Sequence, residues 1–149
     1  MTPEELHKLV QVEQESQAQY KHTLHVCVAA GCLSSKADEV QTALEKEVTR
    51  RGMDKSVQVK GVGCMGLCAA GPLVSIEPAG TWYQQVVESD AADIVGSVGG
   101  KPVERIKLDT NVPFFTRQKK IVLENSGVID PERVEEYVWK SGYAALLQC

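Results

Sequence analysis

The sequence lacks several features that would assign it to common classes of protein. No apolar run approaches the ~18–20 residues that a membrane-spanning helix needs, so none is expected in this chain of 149 residues. The net charge is −4, which leaves no basic surface to hold a nucleic acid backbone or an anionic membrane. The N-terminus is acidic, unlike the basic and then apolar start of a secretory signal. We therefore expect a cytoplasmic protein with one globular domain and an appended segment.

The sequence also lacks a Cys-x-x-Cys motif, although it contains five cysteines. Four of them form two pairs, Cys27-x4-Cys32 and Cys64-x3-Cys68, and each pair follows a run of strand-like residues. In a reducing compartment, clustered cysteines more often bind metal or react than form disulfides. The surrounding residues are mostly glycine and alanine, which let backbone N–H groups approach sulfur ligands. The pattern predicts four thiolate ligands that converge on one inorganic centre.

Several chemistries for these cysteines remain open from the residues alone. A two-iron cluster takes two thiolates on each iron, which two short loops can supply, and we favour this interpretation. Structural zinc also uses four cysteines, but neither pair has the usual two-residue spacing of a zinc knuckle. A redox disulfide would need Cys-x-x-Cys at a helix start, and four unrelated buried cysteines are the remaining alternative. Cys149 stands alone on an apolar helical pattern and is expected to be a core cysteine.

The apolar periodicity predicts an α/β fold. An N-terminal helix begins with Thr2 as cap and a capping box to Glu5, and it continues to about residue 20. Alternating β-branched runs predict strands over residues 22–28, 56–62, 73–77 and 81–87. Two helices are predicted between and after them, one capped by Ser35 and the other by Asp90. This order fits a small mixed sheet with flanking helices, in the manner of a thioredoxin-like fold.

The character of the sequence changes after residue 100. Residues 101–113 are charged and without a clear period, so we expect an irregular linker. A helix is predicted within residues 130–142, capped by Asp130. Val134, Tyr137 and Val138 fall on one face of this predicted helix. Residues 143–149 begin another apolar helical pattern, and we expect them to open a further domain whose remainder is not in this sequence.

The cysteine motif resembles that of the thioredoxin-like [2Fe-2S] ferredoxins, which include the 24-kDa-type subunit of respiratory complex I. The likeness covers about residues 22–100, where Gly-Val-Gly-Cys-Met-Gly-Leu-Cys-x-x-Gly-Pro follows the first cysteine pair. The resemblance implies a [2Fe-2S] cluster with Cys27 and Cys32 on one iron and Cys64 and Cys68 on the other. It also raises the expectation of a cis peptide bond before Pro72.

The tail is similar to the opening of the NADH- and FMN-binding flavoprotein subunit of the same machinery. The matching stretches are Phe-Phe-x-x-Gln at 114–118, Asn-Ser-Gly-Val-Ile-Asp-Pro at 125–131 and Ser-Gly-Tyr-x-Ala-Leu at 141–146. The implied organisation is an N-terminal helix over residues 1–21, a ferredoxin domain over 22–100, a linker over 101–113 and the start of a flavoprotein domain over 114–149. This is the layout of diaphorase subunits of NAD(P)-linked hydrogenases and formate dehydrogenases.

The function implied by the resemblance is one-electron transfer in a diaphorase module of the bidirectional [NiFe] hydrogenase type. A NAD-dependent formate dehydrogenase or a complex I-like flavoprotein subunit is the alternative parent, and a zinc-bound docking module is the alternative of another class. No catalytic residue is predicted in this chain, because FMN and NAD(P) are expected only in a missing portion or a partner subunit. The expected partners are the other subunits of such a complex, with neither nucleic acid binding nor membrane insertion.

Overall fold

The computed structural model of the chain describes residues 2–148 and contains a five-stranded mixed sheet. In chain order the strands are β1 (His22–Cys27), β2 (Val57–Val62), β3 (Val74–Glu77), β4 (Thr81–Tyr83) and β5 (Lys107–Leu108). They lie side by side in the order β2-β1-β3-β4-β5. Only the β1–β2 pair is parallel in this sheet. The predicted α/β class and mixed sheet are confirmed.

Six α-helices accompany this sheet in the described part of the chain. They are α1 (Pro3–Ala18), α2 (Ala30–Leu33), α3 (Ala37–Arg50), α4 (Ala91–Gly96), α5 (Pro113–Thr116) and α6 (Val134–Trp139). Single 3-10 turns occur at Cys68–Ala70, Glu88–Asp90 and Leu146–Gln148. Within residues 2–148, no helix has both the length and the apolar character that crossing a membrane requires. Cys149 lies outside the described residues, so its predicted place in a core stays a prediction.

The start of α1 forms as the sequence predicts. The Thr2 hydroxyl accepts from the backbone N–H of Glu5 at 3.2 Å, and the Glu5 carboxylate accepts from the N–H of Thr2 at 2.7 Å. Pro3 occupies the first helical position, where its missing N–H costs no hydrogen bond. The two reciprocal bonds satisfy backbone donors that the first helical turn leaves free.

The core lies between the sheet and helices α3 and α4. The predicted buried stripe of α3, which comprises Val40, Leu44 and Val48, is confirmed. On β1, residues 24–27 are all buried, so both faces of this central strand are covered. Such a strand is fixed on all sides and can position the residues at its end accurately.

The cap predicted for α3 is wrong, and Asp90 takes the predicted cap position of α4 without a side-chain bond to that helix. The residue before α3 is Lys36, in a left-handed conformation with φ 69°, while the Ser35 hydroxyl donates to the carbonyl of Gly31 at 3.3 Å. Asp90 immediately precedes α4, but its carboxylate accepts from the N–H of Val87 and pairs with Arg105 at 2.6 Å. In both cases the short polar side chain bonds to an earlier turn, which the local sequence forms instead of a simple cap.

The sheet edge also differs from the prediction. β4 ends at Tyr83 because the chain turns at Gln85, which has φ 49°, and then runs back toward the second cysteine loop. The segment predicted to be an irregular linker contains β5, which pairs antiparallel with β4. A strand of two residues is too short to give a periodic signal in the sequence.

The C-terminal extension, residues 113–148, packs through α6 against α1. Of the three apolar residues predicted on one face of α6, Val138 is buried, whereas Val134 and Tyr137 are exposed. Glu136 is fully buried, and its carboxylate lies 3.0 Å from the buried Lys60 ammonium. The side of α6 that faces the protein therefore carries an ion pair as well as an apolar contact. Residues 143–148 form turns and a 3-10 helix rather than the expected α-helical pattern.

Candidate metal centre

The first cysteine pair lies at the carboxyl end of the central strand. Cys27 is the last residue of β1, and its N–H donates to the carbonyl of Leu73 at 3.1 Å. Cys32 lies in the short helix α2, whose first turn brings its thiol back toward β1. Each of the two residues is only 1% exposed. The first loop therefore presents two thiols to the protein interior.

The second pair follows β2, which runs parallel to β1. Because parallel strands end at the same edge of a sheet, the second loop emerges beside the first, with Val62 paired to Cys27. Cys64 is half-buried, and its sulfur accepts from the N–H of Gly66 at 3.4 Å. Cys68 begins a 3-10 turn and is exposed. The second loop thus places its thiols at the surface.

Glycines allow the two loops to meet. A β-carbon on Gly71 would lie 2.8 Å from the Sγ of Cys32, which is closer than real β-carbons approach a neighbour. A β-carbon on Gly31 would lie 3.3 Å from the Sγ of Cys68. A glycine of each loop thus lies against a cysteine sulfur of the other loop. The structure brings all four predicted cysteines to one corner of the molecule.

The thiols in this corner disfavour one another's ionisation. Burial, together with the adjacent Cys27 thiol, raises the pKa of Cys32 to about 12. The negative charge of the neighbouring Cys64 raises the pKa of Cys68. Several thiolates in one corner require positive charge between them, and bound metal ions supply it and deprotonate their ligands. The donor set fits a cationic centre.

The four cysteines are arranged as two pairs, each on its own loop. A structural zinc requires four ligands around one ion, whereas a [2Fe-2S] cluster requires two thiolates at each of two irons. The two loops, each with its own pair of thiols, fit the second requirement.

Comparison with known proteins agrees with this geometry. The family model of the thioredoxin-like [2Fe-2S] ferredoxins matches residues 13–98. The chain belongs to this ferredoxin family. The predictions of a thioredoxin-like fold, a [2Fe-2S] cluster and an electron-transfer function are confirmed by that membership. The match begins within α1 and ends after α4, so it leaves the extension outside.

Individual ferredoxins also match this chain. The 2Fe-2S ferredoxin of Clostridium pasteurianum is 31% identical over 98 residues, which cover 59% of this chain and 96% of the relative. The 2Fe-2S ferredoxin of Aquifex aeolicus is 34% identical over 107 residues, which cover 64% and 96%. The crystal structure of the Aquifex aeolicus thioredoxin-like [2Fe-2S] ferredoxin has a TM-score of 0.55 at 30% identity and covers 60% of this chain and 98% of its own.

Two features of this ferredoxin corner bear on the sequence analysis. The peptide bond before Pro72, for which the resemblance raised the expectation of cis without making it the prediction, is cis, and the bond before Pro78 is also cis, which we did not predict. The structure further places Ser126 against the second cysteine loop, where its hydroxyl donates to the carbonyl of Cys64 at 2.7 Å. No motif or spacing in the sequence indicates a contact between residues 62 positions apart.

Proposed function

We propose that Cys27 and Cys32 bind one iron of the cluster and that Cys64 and Cys68 bind the other. The observation that carries this assignment is the close approach of Gly71 to Cys32 and of Gly31 to Cys68, which puts both pairs in one corner. Within each pair, one thiol also acts on the other: Cys27 helps to raise the pKa of Cys32, and Cys64 raises the pKa of Cys68, which is consistent with close approach of the two members.

The cluster supplies one-electron exchange at its irons, and the residues of this chain set the conditions for it. The buried first pair shields one side of the corner from water. The exposed Cys68 leaves the other side open, so we propose that redox partners approach there. The N–H of Gly66 donates to the sulfur of Cys64, and such a bond favours the reduced, more negative state of the cluster.

We further propose that the electron partner is an FMN that exchanges hydride with NAD(P)H, in the diaphorase module of a cytoplasmic hydrogenase-type complex. The likeness of residues 114–146 to the opening of a flavoprotein subunit supports this context, and the extension lies outside the ferredoxin match. Its surface carries several large apolar side chains that another subunit could cover. They include Phe114, Ile121, Val122, Leu123, Leu146 and Leu147. A formate dehydrogenase or a complex I-like flavoprotein subunit is the second candidate, because the same likeness applies to it.

The ligand assignment is tested by electron paramagnetic resonance of the anaerobically reconstituted protein after dithionite reduction. We expect the signal of one unpaired electron, with about two irons and two sulfides per chain. Cys64→Ala should abolish this signal, whereas Ser89→Ala, at an exposed position away from the cysteines, should retain it. A colourless protein that binds zinc and gives no signal would contradict the assignment.

The diaphorase context is tested by mixing the reconstituted chain with candidate flavoprotein subunits. We expect NADH to reduce the cluster only when an FMN-containing subunit is present and forms a complex with the chain. Association with a flavoprotein of a hydrogenase rather than of a formate dehydrogenase would decide between the two parents. If no flavoprotein accelerates cluster reduction by NADH or NADPH, the diaphorase context is refuted, while the ferredoxin assignment is unaffected.

A further inference from the structure

A short stretch of the C-terminal extension lies directly against the second cysteine loop. We call residues 126–130 the brace. The hydroxyl of Ser126 donates to the carbonyl of Cys64 at 2.7 Å, and the carbonyl of Ile129 accepts from the N–H of Gly63 at 3.3 Å. The loop is therefore bonded to the brace on both sides of the peptide that joins residues 63 and 64.

The brace fits closely because of a glycine. Gly127 has φ 82°, a conformation that side chains rarely adopt, and a β-carbon there would lie 3.1 Å from the Cγ and 3.2 Å from the Cα of Met65. Met65 lies within the cysteine loop and is buried. Only glycine combines this backbone conformation with this approach without displacing Met65.

The brace is in turn fixed to the body of the molecule. The N–H of Asp130 donates to the carboxylate of Glu136 at 3.0 Å, and that carboxylate forms the buried ion pair with Lys60 on β2. Arg133, between them in sequence, pairs with the buried Glu13 of α1 at 2.7 Å. These contacts attach the brace to β2, the strand that precedes the second loop. The loop and the brace are therefore fixed relative to the same strand.

We infer that the brace positions the Cys64 loop, with Ser126 as the positioning residue, and thereby sets the reduction potential and the retention of the cluster. The inference rests on the proposed assignment of Cys64 as an iron ligand. The hydroxyl of Ser126 fixes the carbonyl of Cys64 and hence the turn that aims the N–H of Gly66 at the Cys64 sulfur. Loosening this turn weakens a hydrogen bond that favours the reduced cluster.

The brace is an addition to the part that this chain shares with its relatives. It begins 28 residues after the family match ends at residue 98 (126 − 98 = 28). The Clostridium pasteurianum ferredoxin is covered over 96% of its length by an alignment of 98 residues, which leaves little chain for an equivalent segment. The second loop of this chain is therefore stabilised by contacts that the matched region does not provide.

The first test is hydrogen–deuterium exchange of the full chain without its cluster, which reports on the brace alone. Ser126→Ala should speed exchange of the amides over residues 61–68 about fivefold, the factor that corresponds to one hydrogen bond of ~1 kcal/mol. Ser126→Thr, which keeps the hydroxyl, should restore slow exchange. Glu124→Ala is the matched control, because Glu124 is exposed in the C-terminal extension and lies outside the brace. Equal exchange in Ser126→Ala and Glu124→Ala would overturn the inference.

The second test uses the loaded protein. Ser126→Ala should shift the reduction potential to a more negative value and hasten loss of iron to a chelator, while Glu124→Ala changes neither. Gly127→Ala, which disturbs the same contact through Met65, should act in the same direction. A faster-exchanging loop with an unchanged potential and unchanged iron retention would refute the role of the brace. A wild-type chain that takes up no [2Fe-2S] cluster would refute the ligand assignment instead, and the two failures are thus distinguishable.

Discussion

Removing the negative charge of Glu136 should weaken the attachment of the C-terminal extension to the ferredoxin domain. The carboxylate is fully buried, lies 3.0 Å from the ammonium of Lys60, and also accepts from the N–H of Asp130. Lys60 is itself only 6% exposed, so Glu136→Gln leaves its charge buried without an anion at that distance. The amide keeps the shape of the side chain, which limits the effect to charge and hydrogen bonding.

The expected loss of stability follows from the burial of both partners. Breaking a buried ion pair from one side costs about 3–5 kcal/mol, because the remaining charge is uncompensated. Lys60 also donates to the side chain of Gln17 at 3.2 Å, so we expect the lower end, about 3 kcal/mol. In urea this corresponds to a shift of the unfolding midpoint by about 1.5 M for a slope near ~2 kcal/mol per M.

A double variant separates the cost of a broken pair from that of lost packing. Lys60→Met with Glu136→Leu removes both charges, and we expect it to recover most of the loss. Glu39→Gln is the control, because Glu39 pairs with Lys36 at the surface, where such pairs contribute about 0–1 kcal/mol. The reasoning is refuted if Glu136→Gln costs no more than Glu39→Gln, or if the double variant is less stable than Glu136→Gln alone.

Three further outcomes are expected. Gly71→Ala should prevent cluster uptake, because its β-carbon would lie 2.8 Å from the Cys32 sulfur. Gly63→Ala, whose β-carbon would have no contact under 3.7 Å, should take up the cluster normally. The measurement is iron per chain. Hydrogen bonds from two arginines in its own helix lower the pKa of Glu47 to about 2, so its contribution to stability is present above its ordinary pKa near 4.5 and is lost as the pH falls toward 2. Glu47→Gln should flatten the melting temperature over that range, and an unchanged slope would contradict the assignment. In the cluster-free protein, maleimide should modify the exposed Cys68 well before the buried Cys32, because burial raises the pKa of Cys32 to about 12. Mass spectrometry of peptides would measure the two rates, and equal rates would contradict the burial of Cys32.

The parts of the structure that the sequence predicted are those with a local signal. The capping box of α1, the stripe of α3 and the alternating strands depend on residues within a few positions of one another. The meeting of the cysteines at one corner was also predictable, because each pair comes at or just after the end of a strand and the residues around it are small. Parallel pairing of β1 and β2 then brought the loops together without any long-range information beyond the order of the strands.

The parts that failed depend on partners far away in the chain. The sequence placed apolar side chains on one face of α6, but it gave no sign that Glu136 is buried and pairs with Lys60 on β2. Asp90 was predicted to cap α4, yet its carboxylate accepts from Val87 and binds Arg105 from the following segment. The bond from Ser126 to the carbonyl of Cys64 has the same character. A single sequence does not show which distant residue a charged side chain or a hydroxyl will contact.

The directions of the strands give the ferredoxin sheet two different ends, and the cysteine loops lie at one of them. β3 runs antiparallel to β1, so the turn at residues 78–80, between β3 and β4, lies at the end of the sheet opposite to the cysteine loops. That turn is exposed, and a single attachment point at Ala79 leaves the cysteine corner free. If chains are tethered to an electrode at this turn, the cluster points away from the electrode surface. If they are tethered at the opposite end, the cluster points toward that surface. The measured current should therefore depend on the point of attachment.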